Sequence, residues 1–127
     1  MSARIDLAGT RLMRFALSGA AATLLHVTTA STLIAWGSAS PMLANGVAFI
    51  MATGCSYLLN TLWSFSSRLH RKNLARFLVV SALALILTVL ISWAVQATGG
   101  SYWIGLLVIV MVVTPFSFLM HKLWTYR

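Results

Sequence analysis

Asn60 and Trp63 stand three residues apart, as do His121 and Trp124, so each pair shares one face if its segment is helical. Arg14 and Arg76 precede these pairs at nearly equal distances, and Lys122 places a further cation beside His121. Cations, amide or imidazole donors and flat indoles at one membrane level suit a phosphate that carries a sugar. Charged donors meet the anionic oxygens, and an indole face covers the sugar ring. Plainer readings stand beside this one: the arginines as markers of topology, the tryptophans as interfacial anchors, Asn60 and His121 as interhelical hydrogen-bonding groups. His26 is the deepest titratable side chain. Counted from the start of its span it lies about 16 Å in, near the middle of a hydrocarbon core roughly 30 Å thick. There it either donates to a backbone carbonyl, Thr28 or Thr29, or supplies a hydrogen bond or proton-dependent contact in a polar cavity.

The chemistry that the sequence excludes is equally informative. Asp6 is the single acidic residue. Paired carboxylates for glycoside cleavage or metal-held group transfer therefore do not exist, and no Cys/His spacing suits a metal. No phosphate-binding glycine loop of the G-x-x-x-x-G-K type occurs. We expect no catalytic residue, no metal and no cofactor. An exporter of cationic drugs needs a carboxylate counter-ion inside the membrane, and none is present. The net charge of +8 instead points to an anionic partner. Nucleic acid is not that partner, because the basic residues are dispersed and no binding motif accompanies them.

The elements that must position these residues follow from composition. Apolar residues make up 60% of the 127 and charged residues 8%, which is the profile of a membrane protein. No Asp, Glu, Lys or Arg occurs between Arg14 and Arg68, or between Arg76 and Lys122. Each gap is long enough for two crossings of about 20 residues and a turn. The fold class is therefore all-α and polytopic, with spans at about 15–36, 42–63, 77–97 and 103–123. Residues 1–13 form a short basic lead, 66–75 a basic inner loop, and turns fall at 37–41 and 99–100. A signal-peptide reading of span one fails because its apolar run is too long for an h-region. The nine Lys and Arg residues cluster at the start, the middle and the end, so both termini and the middle loop belong on the cytoplasmic side. Pro115, inside span four, removes a backbone hydrogen bond and is expected to kink it, with Gly54 as the corresponding soft point in span two. Cys55 packs as a small apolar residue.

The chain also repeats itself. SYLLNTLWSF at 56–65 returns as SFLMHKLWTY at 117–126, and Arg14-Phe15 returns as Arg76-Phe77. The period is about sixty residues. One membrane domain, 1–127, thus contains two tandem two-helix repeats, about 14–65 and 76–126. Each begins and ends inside, so the two share one orientation and the four helices are expected to form a bundle. Gly19 and Thr23, and Ala48, Ala52 and Ser56, form small-residue stripes suited to close helix packing within the chain. Four short helices enclose little volume for a sugar phosphate, so a homo-oligomer is expected, with a dimer the simplest case.

These residues together, RFALSGAAATLLH, a second span ending in NTLWSF, a basic loop, and a second Arg-Phe unit ending in HKLWTY, resemble the GtrA-like family of small four-span bacterial membrane proteins over about residues 14–126. The resemblance implies a place in the bacterial inner membrane and a role in cell-surface polysaccharide or lipopolysaccharide synthesis. The implied partner is a polyprenyl-phosphate-linked sugar, such as one on undecaprenyl phosphate, flipped between leaflets among membrane lipids without covalent chemistry. Arg14, His26, Asn60, Trp63, Arg76, His121, Lys122 and Trp124 are the expected substrate-binding residues. The sequence departs from the family pattern at His121, where many members repeat the asparagine. The alternative is a non-transporting subunit that anchors a membrane glycosyltransferase.

Overall fold

The computed structural model describes Ser2–Arg127, apart from the side chains of Ser2 and Ile5. Four long helices account for most of these residues: α1 (Ser2–Gly37), α2 (Pro41–Leu59), α3 (Arg71–Ala97) and α4 (Tyr102–Met120). Among the described residues there is no strand. A π-helical turn prolongs α2 over Asn60–Ser64, and a second prolongs α4 over His121–Thr125. Four stretches are long and apolar enough to cross a membrane: Asp6–Gly37, Pro41–Ser64, Arg71–Ala97 and Tyr102–Thr125. The protein is an all-α, multi-pass membrane protein.

The chain divides into two compact helical hairpins, one ending at Leu69 and the other comprising His70–Arg127. In the first, α1 packs on α2. The contact is built from small side chains: Ser18, Ala22 and Ala30 on one helix, Ala44, Ala48 and Ala52 on the other, all buried. Three alanines at four-residue spacing present one nearly flat stripe, which lets two backbones approach where lipid supplies no hydrophobic drive to associate. Ala48 and Ala52 thus do the packing that their stripe predicts. Gly19 and Thr23 do not, since both are exposed on the first unit. In the second unit, α3 packs on α4 through Phe77, Val80, Gly105 and Phe118. Large aliphatic residues such as Leu24, Ile50, Leu85 and Met111 are exposed, as hydrocarbon-facing positions should be.

Local chemistry sets the helix ends. Ser40 and Ser101 cap α2 and α4, accepting from the backbone N–H of Leu43 (3.3 Å) and Ile104 (3.4 Å). Pro41 occupies the first helical position, where its missing N–H costs nothing. Gly99, at φ +75°, makes the left-handed turn after α3, and a Cβ on Gly100 would lie 2.7 Å from Val95 Cγ1. Ser38 and Ser66 take left-handed conformations without being glycine, at φ 52° and 47°. Both sit in tight closures, with Ala39 N–H donating to Leu33 O (3.1 Å) and Ser67 N–H to Thr61 O (2.6 Å).

Several sequence expectations change. The lead over 1–13 is not a separate element: α1 runs unbroken from Ser2, and Met1 lies outside the described residues. No proline or cap interrupts it, and Thr10 satisfies its hydroxyl by donating to Asp6 O at 2.8 Å. The inner loop is shorter than 66–75. His70 caps α3, its Nδ1 accepting from Asn73 N–H at 3.3 Å, so Arg71, Lys72 and Arg76 are helical. Both α2 and α4 continue as helix through Gly54 and Pro115. The departure that the units share comes later, at Asn60 and His121, where the backbone widens to π geometry.

Candidate functional site

Each hairpin has an open end, where the unit's chain termini lie, and a turn end. At the open end of the first unit, α1 carries Arg14 to the π-helical turn. Its guanidinium lies 5.6 Å from the centre of the Trp63 ring, and Nη1 donates to Trp63 O at 3.2 Å. The second unit repeats this with Arg76: 5.3 Å to the Trp124 ring and 2.7 Å to Trp124 O. The last carbonyls of any helix lack intrahelical partners and carry partial negative charge, so a cation arriving there from the neighbouring helix satisfies both needs. A guanidinium has five N–H donors. Capping one carbonyl leaves donors on each arginine for an anion.

Behind each arginine the two units differ. In the first, Ser18 donates to Arg14 O at 2.8 Å, one turn back along α1. Ser18 and Ser64 hydroxyls lie 3.1 Å apart. Since Ser18 has already given its proton, Ser64 is the donor in that pair. Asn60 donates through Nδ2 to Ser56 O (2.9 Å) and Ser56 Oγ (3.1 Å), and because Ser56 O can only accept, the amide orientation is fixed. Its carbonyl oxygen Oδ1 is buried without a hydrogen-bond partner among the described residues. An orphaned acceptor of this kind costs about 1–3 kcal/mol.

In the second unit, Val80 stands where the first has Ser18, and it is fully buried. Thr125, the counterpart of Ser64, has no serine to meet and shares a 3.0 Å hydrogen bond with His121 Nδ1. The His121 imidazole also stacks on Phe77, with centroids 4.7 Å apart and planes inclined by 16°. One substitution on the facing helix, serine for valine, thus accompanies a change of hydroxyl partner and an unpaired Asn60 oxygen.

Of the expected site residues, Arg14 meets Trp63 with Asn60 one turn behind, and Arg76 meets Trp124 with His121 beside Phe77. Lys122 is exposed and has no partner among the described residues. His26 stands apart. Its Nε2 lies 3.2 Å from Asn45 Oδ1 on α2, not on a carbonyl, Thr28 or Thr29. Asn45 donates through Nδ2 to Pro41 O (2.8 Å), which turns Oδ1 toward the ring and identifies Nε2 as the protonated nitrogen. Asn45 is four residues from the start of α2, about 6 Å at helical rise. His26 itself lies eleven residues before the end of α1 at Gly37, about 16 Å at the same rise. Ser18, Ser64, Asn45 and Thr125 were not singled out from the sequence. Ser18 had a usable signal, lying four residues after Arg14 on the same face.

The family model for the GtrA/DPMS transmembrane domain matches residues 14–126. No curated protein and no solved structure matches the chain.

Proposed function

We propose a function from one premise: the chain belongs to the GtrA/DPMS transmembrane-domain family, whose members are membrane proteins of glycosylation or polysaccharide pathways and generally non-catalytic. The reading is translocation of a polyprenyl-phosphate-linked sugar from the cytoplasmic to the outer face of a bacterial inner membrane. The termini and the basic 66–70 segment are cytoplasmic, by the distribution of Lys and Arg. Each unit has a candidate site at its own open end. In the first, Arg14 takes a phosphate, Trp63 covers the sugar and Asn60 offers hydrogen bonds behind them. In the second, Arg76 with Lys122, Trp124 and His121 take the same parts.

The observation that carries this reading is the recurrence, in both units, of an arginine held over an indole at 5.6 and 5.3 Å. A cation beside a flat aromatic matches an anionic group joined to a ring with apolar faces. The orphaned Asn60 oxygen, buried one turn behind the indole, is an acceptor of the kind a sugar hydroxyl satisfies. At that depth low dielectric strengthens each charge-assisted bond, while the polyprenyl tail stays in hydrocarbon.

A second reading, a non-transporting anchor for a membrane glycosyltransferase, has one observation in its favour. Each arginine already donates to a tryptophan carbonyl, so each has a structural duty. Reconstitution separates the two. Purified protein in vesicles with labelled lipid-linked sugar should exchange it between leaflets well above empty vesicles, and Arg76→Gln and Asn60→Leu should each lower that rate. No exchange above the empty-vesicle rate would favour the anchor.

A further inference from the structure

At the turn end of the second unit lies a groove of about 550 Å³ between α3 and α4, far from the Arg76–Trp124 contact along both helices. Thr88, Ser92 and Gln96 line one wall at four-residue intervals, so their polar ends form three rungs about 6 Å apart on a single face of α3. Ser101 and Tyr102 close the end near the turn, and Gly105 forms part of the floor. The turn itself is fixed: Gly99 N–H donates to Gln96 O (3.0 Å) and Gly100 N–H to Val95 O (2.9 Å). Thr98 Oγ1 also donates to Ala94 O (3.2 Å) and Val95 O (3.0 Å), so backbone and side chain together close the end of α3.

The polar groups here are only partly used. Thr88 donates to Ala84 O at 2.8 Å and keeps its oxygen as an acceptor. Ser101 Oγ accepts from Ile104 N–H and keeps its proton. The Ser92 hydroxyl and the Gln96 amide have no hydrogen-bond partner among the described residues. No residue lining the groove is charged. Those two facts select an occupant. A phosphate has no cation to meet there. An acyl chain, or an apolar helix from a second copy, would cover Ser92 and Gln96 without satisfying them. A neutral polyol satisfies them: hydroxyls pair with Gln96, which offers two donors and an acceptor, and with Ser92, while ring C–H faces lie on Tyr102 and the aliphatic wall. The volume is in the range of small-ligand sites.

We propose that this groove is a carbohydrate site, which binds the uncharged sugar portion of a glycolipid at the hairpin end opposite the arginines. The identity of that glycolipid as a polyprenyl-phosphate sugar rests on the translocation reading above; the preference for a neutral sugar over an anion rests on the groove alone. Under that reading the open end holds the sugar phosphate before transfer, and the turn end receives its sugar afterwards.

The test uses the full chain in phosphatidylcholine vesicles and two photoreactive probes on one octyl chain, a glucoside and a phosphate, with labelled residues mapped by peptide mass spectrometry. The glucoside should label the 88–109 stretch, with labelling displaced by excess unlabelled octyl glucoside, and the phosphate probe should not label it. Gln96→Leu should cut that labelling about tenfold, as expected for loss of a hydrogen-bonding side chain in a ligand site. Ser92→Ala, a smaller change that leaves the turn untouched, should cut it severalfold, so the test does not depend on one variant folding. Equal labelling by both probes, or undiminished labelling in both variants, overturns the site. Leaflet exchange of lipid-linked sugar is scored separately. Specific labelling without exchange keeps the carbohydrate site and defeats translocation, and exchange without labelling does the reverse.

Discussion

Replacing Arg76 with Gln separates the two duties that the structure gives this side chain. The glutamine is uncharged and too short to reach Trp124 O, so the variant loses the 2.7 Å bond and the contact 5.3 Å from the indole centre. A hydrogen bond from a charged donor contributes about 1.5–3 kcal/mol, and a cation over an exposed indole about 0.5–1 kcal/mol. Arg76 is only half-buried, so water or lipid head groups recover part of this. The net loss should be about 2 kcal/mol, a shift of roughly 30-fold in the folded-to-unfolded ratio. Arg14→Gln should cost less, about 1 kcal/mol, because its bond to Trp63 O is longer at 3.2 Å. Arg76→Lys keeps the charge but not the planar stack and should fall between parent and Arg76→Gln. Reversible unfolding in mixed micelles measures all three. Insertion should be unchanged, since Arg68, Arg71 and Lys72 still mark that side of the membrane. Lipid-phosphate binding by the folded fraction gives the second readout, and it should fall as well. Unchanged unfolding in both glutamine variants would refute the capping argument. Lost stability with parental binding would leave the arginines as caps alone.

Asn60→Leu should change stability by no more than about 1 kcal/mol, because losing the bonds to Ser56 is offset by removing an orphaned oxygen. Its leaflet exchange should drop at least about tenfold, equivalent to one lost ligand hydrogen bond; parental exchange would make Asn60 a packing residue. Ser66→Gly should stabilise the first unit by about 1 kcal/mol by relieving a left-handed backbone, and unfolding midpoints that do not rise would contradict that conformation. Ala48→Leu should destabilise by about 2 kcal/mol or more, since the site is fully buried against α1. Leu85→Ala, at an exposed apolar position, should stay within about 0.5 kcal/mol in the same assay.

Much of this protein is one-dimensional information. Two charge-free runs, each bounded by basic residues, are enough to define four spans, because an unpaired charge in hydrocarbon is costly and each run is long enough for two crossings. The repeated Arg-Phe and Trp-aromatic segments likewise pointed to the family and to both arginine–indole pairs. The shape of each pair was not legible. Whether Asn60 and His121 sit in α or π geometry depends on how the helix end closes, and whether Arg14 serves a carbonyl depends on which face α1 turns to α2. Partner choice is decided across the hairpin. Ser18 accepts from Ser64 while Asn60 Oδ1 has no partner, whereas Val80 accepts nothing and Thr125 bonds His121. The same holds for His26, whose partner Asn45 is nineteen positions away. Sequence settles which segments enter the membrane, since that is a sum over residues. Hydrogen bonds between helices depend on facing and register, which only the packed hairpin sets.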